Sequence, residues 1–502
     1  EEEPAKLRKS FHFDSYTEAL QFAEKVNEMS TIMDHHANIS IVHKCVNGVD
    51  LEMEFFSFEA KELTEKDYDA AKAVDLIHGG NPIKMSDFSY DLKQESIALF
   101  PAETRGSSKL LQVDSRGSVS YKPHFANSIP DAISGCHVVF NNSRVLDARL
   151  SVEVGSGDQV ELMLLDLGNI DAALPCSDHT IQAMIRSESV VKGGMYVEPV
   201  SGAKIEVVDI KGIWEEEEES GGNGCDCVVR IHSNDDIGSF LSSNGSVPIP
   251  PYLHREAVPS DKERYNNVYA KDGGSVAAPT AGLHFTDEVL RDLGESNTSQ
   301  LTLHVGAGTF MPVLSQDARD HSMHAEHFFV NVGELRTIVK AMEQGKPLLV
   351  VGTTSTRTLE SLFWLGVKRL RGLPNSDNVK QLELKQFEWI PLSVGDGKST
   401  SPVLALNALI DGMSDDEVIT GQTSLMITPN SYKFKVIDHL ITNFHAPDST
   451  LMLLVSAFLG KQSDITKIYE DAQKKGYRFL SYGDACLFSR PGVELPRERK
   501  SL

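Results

Sequence analysis

Three apolar runs in the second half of the chain stop abruptly at polar residues and pass straight into helical patterns. Residues 301–304 lead into Val305-Gly306-Ala307-Gly308, and residues 347–351 into Gly352-Thr353-Thr354-Ser355 and a helix starting near Arg357. Residues 440–442 lead into Asn443-Phe444-His445 and a helix capped by Asp448, Ser449 or Thr450. Short buried strands alternating with helices fit a sheet covered by helices, an α/β layer. In such layers strand ends and helix N-termini converge on one edge and expose donors there. The polar turns are therefore the first place to look for chemistry.

The rest of the chain has a different texture. Residues 149–246 hold many short β-like runs with Gly/Ser turns, which suggests a small barrel or sandwich. Within them, a glutamate run at 215–219 followed by Ser220-Gly221-Gly222 reads as a solvated loop. Cys225 and Cys227 fall in a loop-like stretch just after it. In the first 77 residues, Asp14 or Ser15 can cap a helix whose apolar face is Ala19, Phe22, Val26 and Met29. Strands near 39–46 and 49–56 flank Asn47-Gly48, a two-residue hairpin signal, and Thr64 caps a second helix with Tyr68, Ala71 and Val74 on one face. That is helix–hairpin–helix, an α+β order.

Composition excludes some classes and weakens another. The 502 residues are 40% apolar and 24% charged, as in soluble chains of several domains, and no apolar run approaches the ~18 residues of a membrane span. Six scattered cysteines without zinc spacing fit a reduced compartment, with the cytoplasm as the expectation. The chain begins at Glu1 rather than Met, so an organellar leader stays open. The net charge of -24 argues against nucleic acid, yet it is uneven: residues 1–80 carry 8 basic and 17 acidic side chains, residues 461–502 carry 9 and 6.

Several clusters carry reactive groups. The turn 352–357 offers hydroxyls, an arginine and free N–H groups, suited to a carboxylate or phosphate or to ordinary capping. The segment 277–285 is made of small residues and ends at His284. It reads equally as a tight turn or as backbone that a planar ligand can approach. His321, His324 and Glu326 raise a metal reading, but their spacing matches no zinc helix. Hydrogen-bonding or acid/base histidines are the expectation there.

Motifs then decide between these readings. Asp87-Phe-Ser-Tyr-Asp-Leu92, Phe140-Asn-Asn-Ser-Arg-Val145, Ile249-Pro-Pro-Tyr252 and Glu263-Arg-Tyr265 appear in order with Val268-Tyr-Ala270 and segments 277–286, 303–310, 321–326, 352–360, 432–438, 440–445 and 477–484. Together they resemble the S-adenosylmethionine:tRNA ribosyltransferase-isomerase family over about residues 85–488. The resemblance implies an α/β domain (85–148 and 247–490) interrupted by an inserted β-barrel (149–246), with a tail at 491–502. It implies a reaction in which the ribosyl part of S-adenosylmethionine is moved to 7-aminomethyl-7-deazaguanine at the tRNA wobble position. The sugar is isomerised to give epoxyqueuosine, and adenine and methionine leave. No metal is expected.

That chemistry needs a base, a proton for adenine and an anchor for the methionine carboxylate. The candidates are His284, His304, His324, Glu326 and His445 for catalysis. For binding they are Arg144, Thr280, Gly282, Gly306, Gly308, Thr353, Thr354, Ser355, Arg357 and Asn443. The chain departs from the family pattern at Asn142-Ser143, where Asp-Thr is usual, at the lengthened Pro429-Asn-Ser-Tyr432 turn, and in an elaborated connection over 375–421.

Residues 1–78, followed by a linker at 79–84, resemble pterin-4a-carbinolamine dehydratase. The resemblance rests on Phe11-His-Phe13, Glu18-Ala19, Phe22, His35-His36 and Leu63-Thr-Glu-Lys-Asp67. It implies pterin binding by His35 and His36. Phe58 stands where a third histidine is usual, and Ala37 where proline is usual. The first unit could add a dehydratase activity, form homo-oligomers or only support folding. A non-catalytic tRNA-binding scaffold is the remaining alternative.

Overall fold

Val138, Val139, Phe140, Leu349, Val350, Leu440 and Ile441 are all buried, so the strands that hold them are covered on both faces and lie at the centre of a sheet. The computed structural model describes residues 6–13, 15–33, 35–43, 49–57, 62–78, 83–153, 157–169, 175–187, 190–214, 224–306, 308, 313, 315–394, 400–460 and 464–496. The sheet has ten strands in the order Leu382–Leu384, Val418–Thr423, Glu326–Asn331, Thr298–Leu303, His137–Asn141, Leu348–Val351, His439–Asn443, Ala485–Ser489, Leu110–Val113 and Val119–Lys122. The central four, from Thr298–Leu303 to His439–Asn443, are parallel, and antiparallel strands flank them on both sides. Their carboxyl ends therefore open on one edge.

Two details differ from the sequence expectations. The helix after Leu348–Val351 spans Thr353–Leu370, beginning four residues before Arg357, so its hydroxyls lie in the first turn. The long connection over 375–421 is not merely a loop. It supplies two sheet strands and the helices Trp389–Ser393 and Pro402–Ile410. Ser449 caps the helix Thr450–Leu459 and Thr286 caps Asp287–Leu293, each accepting a bond from the backbone three residues on.

Between Arg149 and His232 six antiparallel strands close into a barrel, in the order Ile181–Arg186, Gly224–His232, Lys204–Trp214, Met195–Val197, Arg149–Glu153 and Gln159–Leu164. Cys225 and Cys227 lie in the strand Gly224–His232, not in a loop, and both face the barrel core. Alternation within that strand carried the signal, and the glycine-rich stretch before it hid the boundary. The 215–222 loop lies outside the described residues. The five described cysteines are buried free thiols.

At the N-terminus the order is strand–helix–strand–strand–helix: Leu7–Phe13, Tyr16–Met33, Asn38–His43, Val49–Phe55 and Glu65–His78. The first strand is an addition to the expected order. Its apolar residues are only half-buried and alternate with Arg8, Ser10 and His12, as suits an edge strand. Ser15 and Glu18 form a reciprocal capping box at 3.2 Å. Asp14, the Asn47-Gly48 turn and residues 79–82 of the linker lie outside the described residues. Both N-terminal helices pack against Trp389–Ser393, and Glu28 pairs with Lys385 at 3.2 Å. Among the described residues no helix is long and apolar enough to cross a membrane.

Candidate active site

The four parallel strands end at Leu303, Asn141, Val351 and Asn443, and the chain beyond them surrounds a cleft with about 770 Å³ of open space. Thr280, Thr353, Thr354, Asn443 and His445 line it, together with Tyr252 and Tyr265. Asn141 ties the edge together. Its amide nitrogen donates to the Leu303 carbonyl and to Thr354 Oγ1 at 3.0 and 3.1 Å, and its oxygen accepts from the N–H groups of Leu303 and Ser143. One fully buried side chain thus fixes two strand ends and aims a cleft hydroxyl.

Three imidazoles stand around this edge, those of His284 and His445 buried and that of His304 half-buried. His445 bonds Thr442 Oγ1 through Nε2 at 2.8 Å, and burial pushes its pKa down to about 3. His304 bonds Ser143 Oγ through Nδ1 at 2.8 Å, and burial lowers it to about 4 against the opposing Asp272. A Cβ at Gly274 would lie 2.6 Å from the His304 ring, and one at Gly168 in the barrel would collide with it too. Glycine at both places leaves room for that ring. His284 bonds Ser108 Oγ through Nδ1 at 2.8 Å. Burial lowers it to about 4, the Asn443 side chain opposing and Arg478 and Arg105 adding to the shift. Among the described residues, His284 Nε2 and Asn443 Oδ1 are buried without a well-formed hydrogen bond. All three imidazoles are neutral at pH 7, each with one ring nitrogen protonated and the other an acceptor.

The helix Thr353–Leu370 points its N-terminus at the cleft. Gly352, at φ 92°, makes the turn and offers no side-chain cap. The first N–H groups of such a helix have no partner within it, and the helix dipole leaves them positive. Ser355 is turned away, its hydroxyl donating to the Val351 carbonyl at 2.8 Å. Arg357 pairs through Nη1 with Glu326, and its Nε and Nη2 donate to the carbonyls of Leu425 and Thr423 at 3.1 and 3.4 Å. Arg357 and Glu326 are both buried. Glu326 also accepts from the Gly306 N–H at 3.4 Å, so the pair anchors the turn after Leu303.

The remaining candidates sit elsewhere. Arg144 and His324 are exposed, and His324 packs over Gly308. Gly282 is buried against Asn267 and Tyr269. Among the described residues no group of three His, Cys, Asp or Glu could hold a metal ion. In the N-terminal unit, His35 Nε2 meets Asp67 Oδ1 at 2.8 Å, while His36 is exposed. Burial alone would raise the Asp67 pKa, but bonds from Thr64, Ser57 and His35 outweigh it and hold the carboxyl low. Phe58 lies outside the described residues.

Residues 85–488 match the family model of the queuosine biosynthesis protein. The chain belongs to that family. Residues 1–77 match the model of pterin 4 alpha carbinolamine dehydratase, so the chain carries such a domain at its N-terminus. An S-adenosylmethionine:tRNA ribosyltransferase-isomerase of Clostridioides difficile is 36% identical over 81% of this chain and 99% of its own length. One of Treponema denticola is 34% identical over 80% and 98%. A crystal structure of S-adenosylmethionine tRNA ribosyltransferase from Thermotoga maritima is matched at 23% identity over 80% of this chain and 99% of that one, with a TM-score of 0.37, too distant to bear on the fold.

Several residues that line the cleft or orient the imidazoles near it escape a reading of spacing. Tyr252 bonds Ser481 across 229 positions, and Thr442, Ser143 and Ser108 orient the three imidazoles. Tyr252, Thr442 and Ser143 lie inside motifs already singled out, and a search of those motifs for hydroxyls would have found them. Ser108 lies in no such motif.

Proposed function

We propose that the chain transfers and isomerises the ribosyl moiety of S-adenosylmethionine onto 7-aminomethyl-7-deazaguanine at the tRNA wobble position. The product is epoxyqueuosine, with release of adenine and methionine. The observation that carries this reading is the end-to-end match to relatives of that name, 99% of the Clostridioides difficile protein being covered. The cleft suits the chemistry. The N–H groups and hydroxyls of Thr353 and Thr354 receive the methionine carboxylate at the positive end of their helix. The small residues Ala277, Ala278 and Ala281 let a planar ring come close to the backbone.

His445, neutral and turned to the cleft, takes a proton from the carbon beside the sulfonium, with Thr442 fixing its ring. None of the three imidazoles carries a second ring proton at pH 7 beforehand. The one that accepts it is then able to pass it to the departing adenine. His304 and His284 position the surrounding loops through Ser143 and Ser108. The buried thiols fit a reducing compartment such as the cytoplasm, and no step calls for a metal. Chromatography of full-length protein incubated with S-adenosylmethionine and precursor tRNA tests the reading. Free adenine should appear only when both substrates are present, and its absence would contradict the assignment.

A second reading concerns the N-terminal domain, where the His35–Asp67 pair can hold a pterin by hydrogen bonds. Carbinolamine dehydration needs one group to release the hydroxyl and another to take the ring proton. His35 and His36 are the residues the resemblance places there, and Phe58 stands where the third histidine is usual. Full-length protein should therefore accelerate dehydration of a 4a-hydroxytetrahydropterin weakly or not at all, followed by absorbance. Turnover at the rate of a dedicated dehydratase would overturn that expectation. The domain then serves folding or self-association, which sedimentation of the full chain would reveal.

A further inference from the structure

Beside the cleft a second hollow of about 300 Å³ is lined by Arg105, Arg264 and Arg478. Arg105 donates to the carbonyls of Leu283, Glu263 and Asn266 at 3.3, 3.4 and 3.1 Å. Arg264 donates to those of Ala102 and Glu103 at 2.7 and 3.4 Å, and Arg478 to that of Phe100 at 3.4 Å. All three are half-buried, and their described hydrogen bonds go to neutral carbonyls, not to carboxylates. Acidic residues outnumber basic ones 72 to 48 in this chain, so three arginines gathered in a hollow with no Asp or Glu among its described lining residues stand out. Burial and the neighbouring Arg264 depress the Arg105 guanidinium, with Glu263 and Asp287 opposing them. Like charges held together this way favour an anion between them.

The hollow adjoins the cleft. Ser481 lines both, and Thr280 and Ala281 of the cleft run on into Leu283 and His284 of the hollow. A nucleotide whose base enters the cleft leaves its backbone phosphates at the mouth, where fork-shaped donors suit them. We propose that the hollow formed by Arg105, Arg264 and Arg478 is the subsite for the RNA phosphodiester next to the nucleotide whose base is modified. The proposal rests on the functional reading above and assigns it an RNA contact in a chain of strongly negative charge.

Arg478 and Arg264 are the residues to change, because Arg105 ties three loop carbonyls and its loss would disturb the fold. Affinity of full-length Arg264→Gln, Arg478→Gln and the double variant for an anticodon stem-loop RNA carrying the precursor base is measured over a salt series. S-adenosylmethionine affinity is measured by calorimetry on the same samples. Each lost arginine should weaken RNA binding about tenfold and reduce the slope of log affinity against log salt by about 0.7, with S-adenosylmethionine affinity unchanged. Arg264→Lys and Arg478→Lys, which keep the charge, should retain the slope and fold even where a glutamine variant does not.

An unchanged RNA affinity and slope in the double variant would overturn the proposal. So would a loss of S-adenosylmethionine affinity at an unchanged unfolding temperature, which would assign the hollow to the donor's carboxylate. Turnover by the unmodified protein is measured alongside. Its absence would contradict the functional reading, whereas active protein with insensitive variants would contradict the arginine subsite alone.

Discussion

Replacing His445 by alanine is expected to lower kcat by about 10²–10⁴-fold, the usual contribution of a positioned acid–base group. S-adenosylmethionine affinity should change little, because the proposed carboxylate anchor, Thr353 and Thr354, lies at another strand end. The reasoning is geometric. His284 Nε2 is shut inside the protein, and His304 is wedged between Gly274 and Gly168, leaving His445 as the imidazole that faces the cleft. Thr442→Val should give a smaller loss by freeing the ring while sparing its nitrogen. Single-turnover kinetics of adenine release would separate chemistry from binding. A His445→Ala rate within threefold of the unmodified protein would remove His445 from the reaction.

Glu326→Ala should destabilise the protein by about 3–5 kcal/mol, because it leaves Arg357 charged, buried and without its carboxylate. The same pair replaced together, as Glu326→Leu with Arg357→Met, should cost far less, since neither charge is then stranded. Urea unfolding of the two variants compares them directly. A loss below about 1 kcal/mol for Glu326→Ala would mean that water or a rearranged side chain reaches Arg357. The comparison also bears on function. The pair holds the Gly306 turn, so the single variant should loosen the cleft edge as well as the fold.

Much of the sheet is legible in the sequence because buried parallel strands read as plain apolar runs ending in polar residues. Val138 to Phe140, Leu348 to Val351 and Leu440 to Ile441 are of this kind. The turns that follow them supply Thr353, Thr354, Asn443 and His445 to the cleft. The helix start at Thr353 is harder to see, because threonine and serine serve equally well as caps and as first-turn residues. The Arg357–Glu326 pair spans 31 positions, and no spacing rule reaches across them. The edge strand Leu7–Phe13 is hidden for another reason: with charged and polar residues at alternate positions and little burial, it looks like a tail. The polar stretch over 375–421 conceals two strands because they add to the sheet's outer edge.

The most direct test of the account is the mass of the wobble nucleoside. Precursor tRNA incubated with full-length protein and S-adenosylmethionine is digested to nucleosides and analysed by mass spectrometry. The account predicts that 7-aminomethyl-7-deazaguanosine disappears, that epoxyqueuosine replaces it, and that adenine and methionine are released in equal amounts. A wobble nucleoside of unchanged mass, from protein that binds both S-adenosylmethionine and the tRNA, would contradict it.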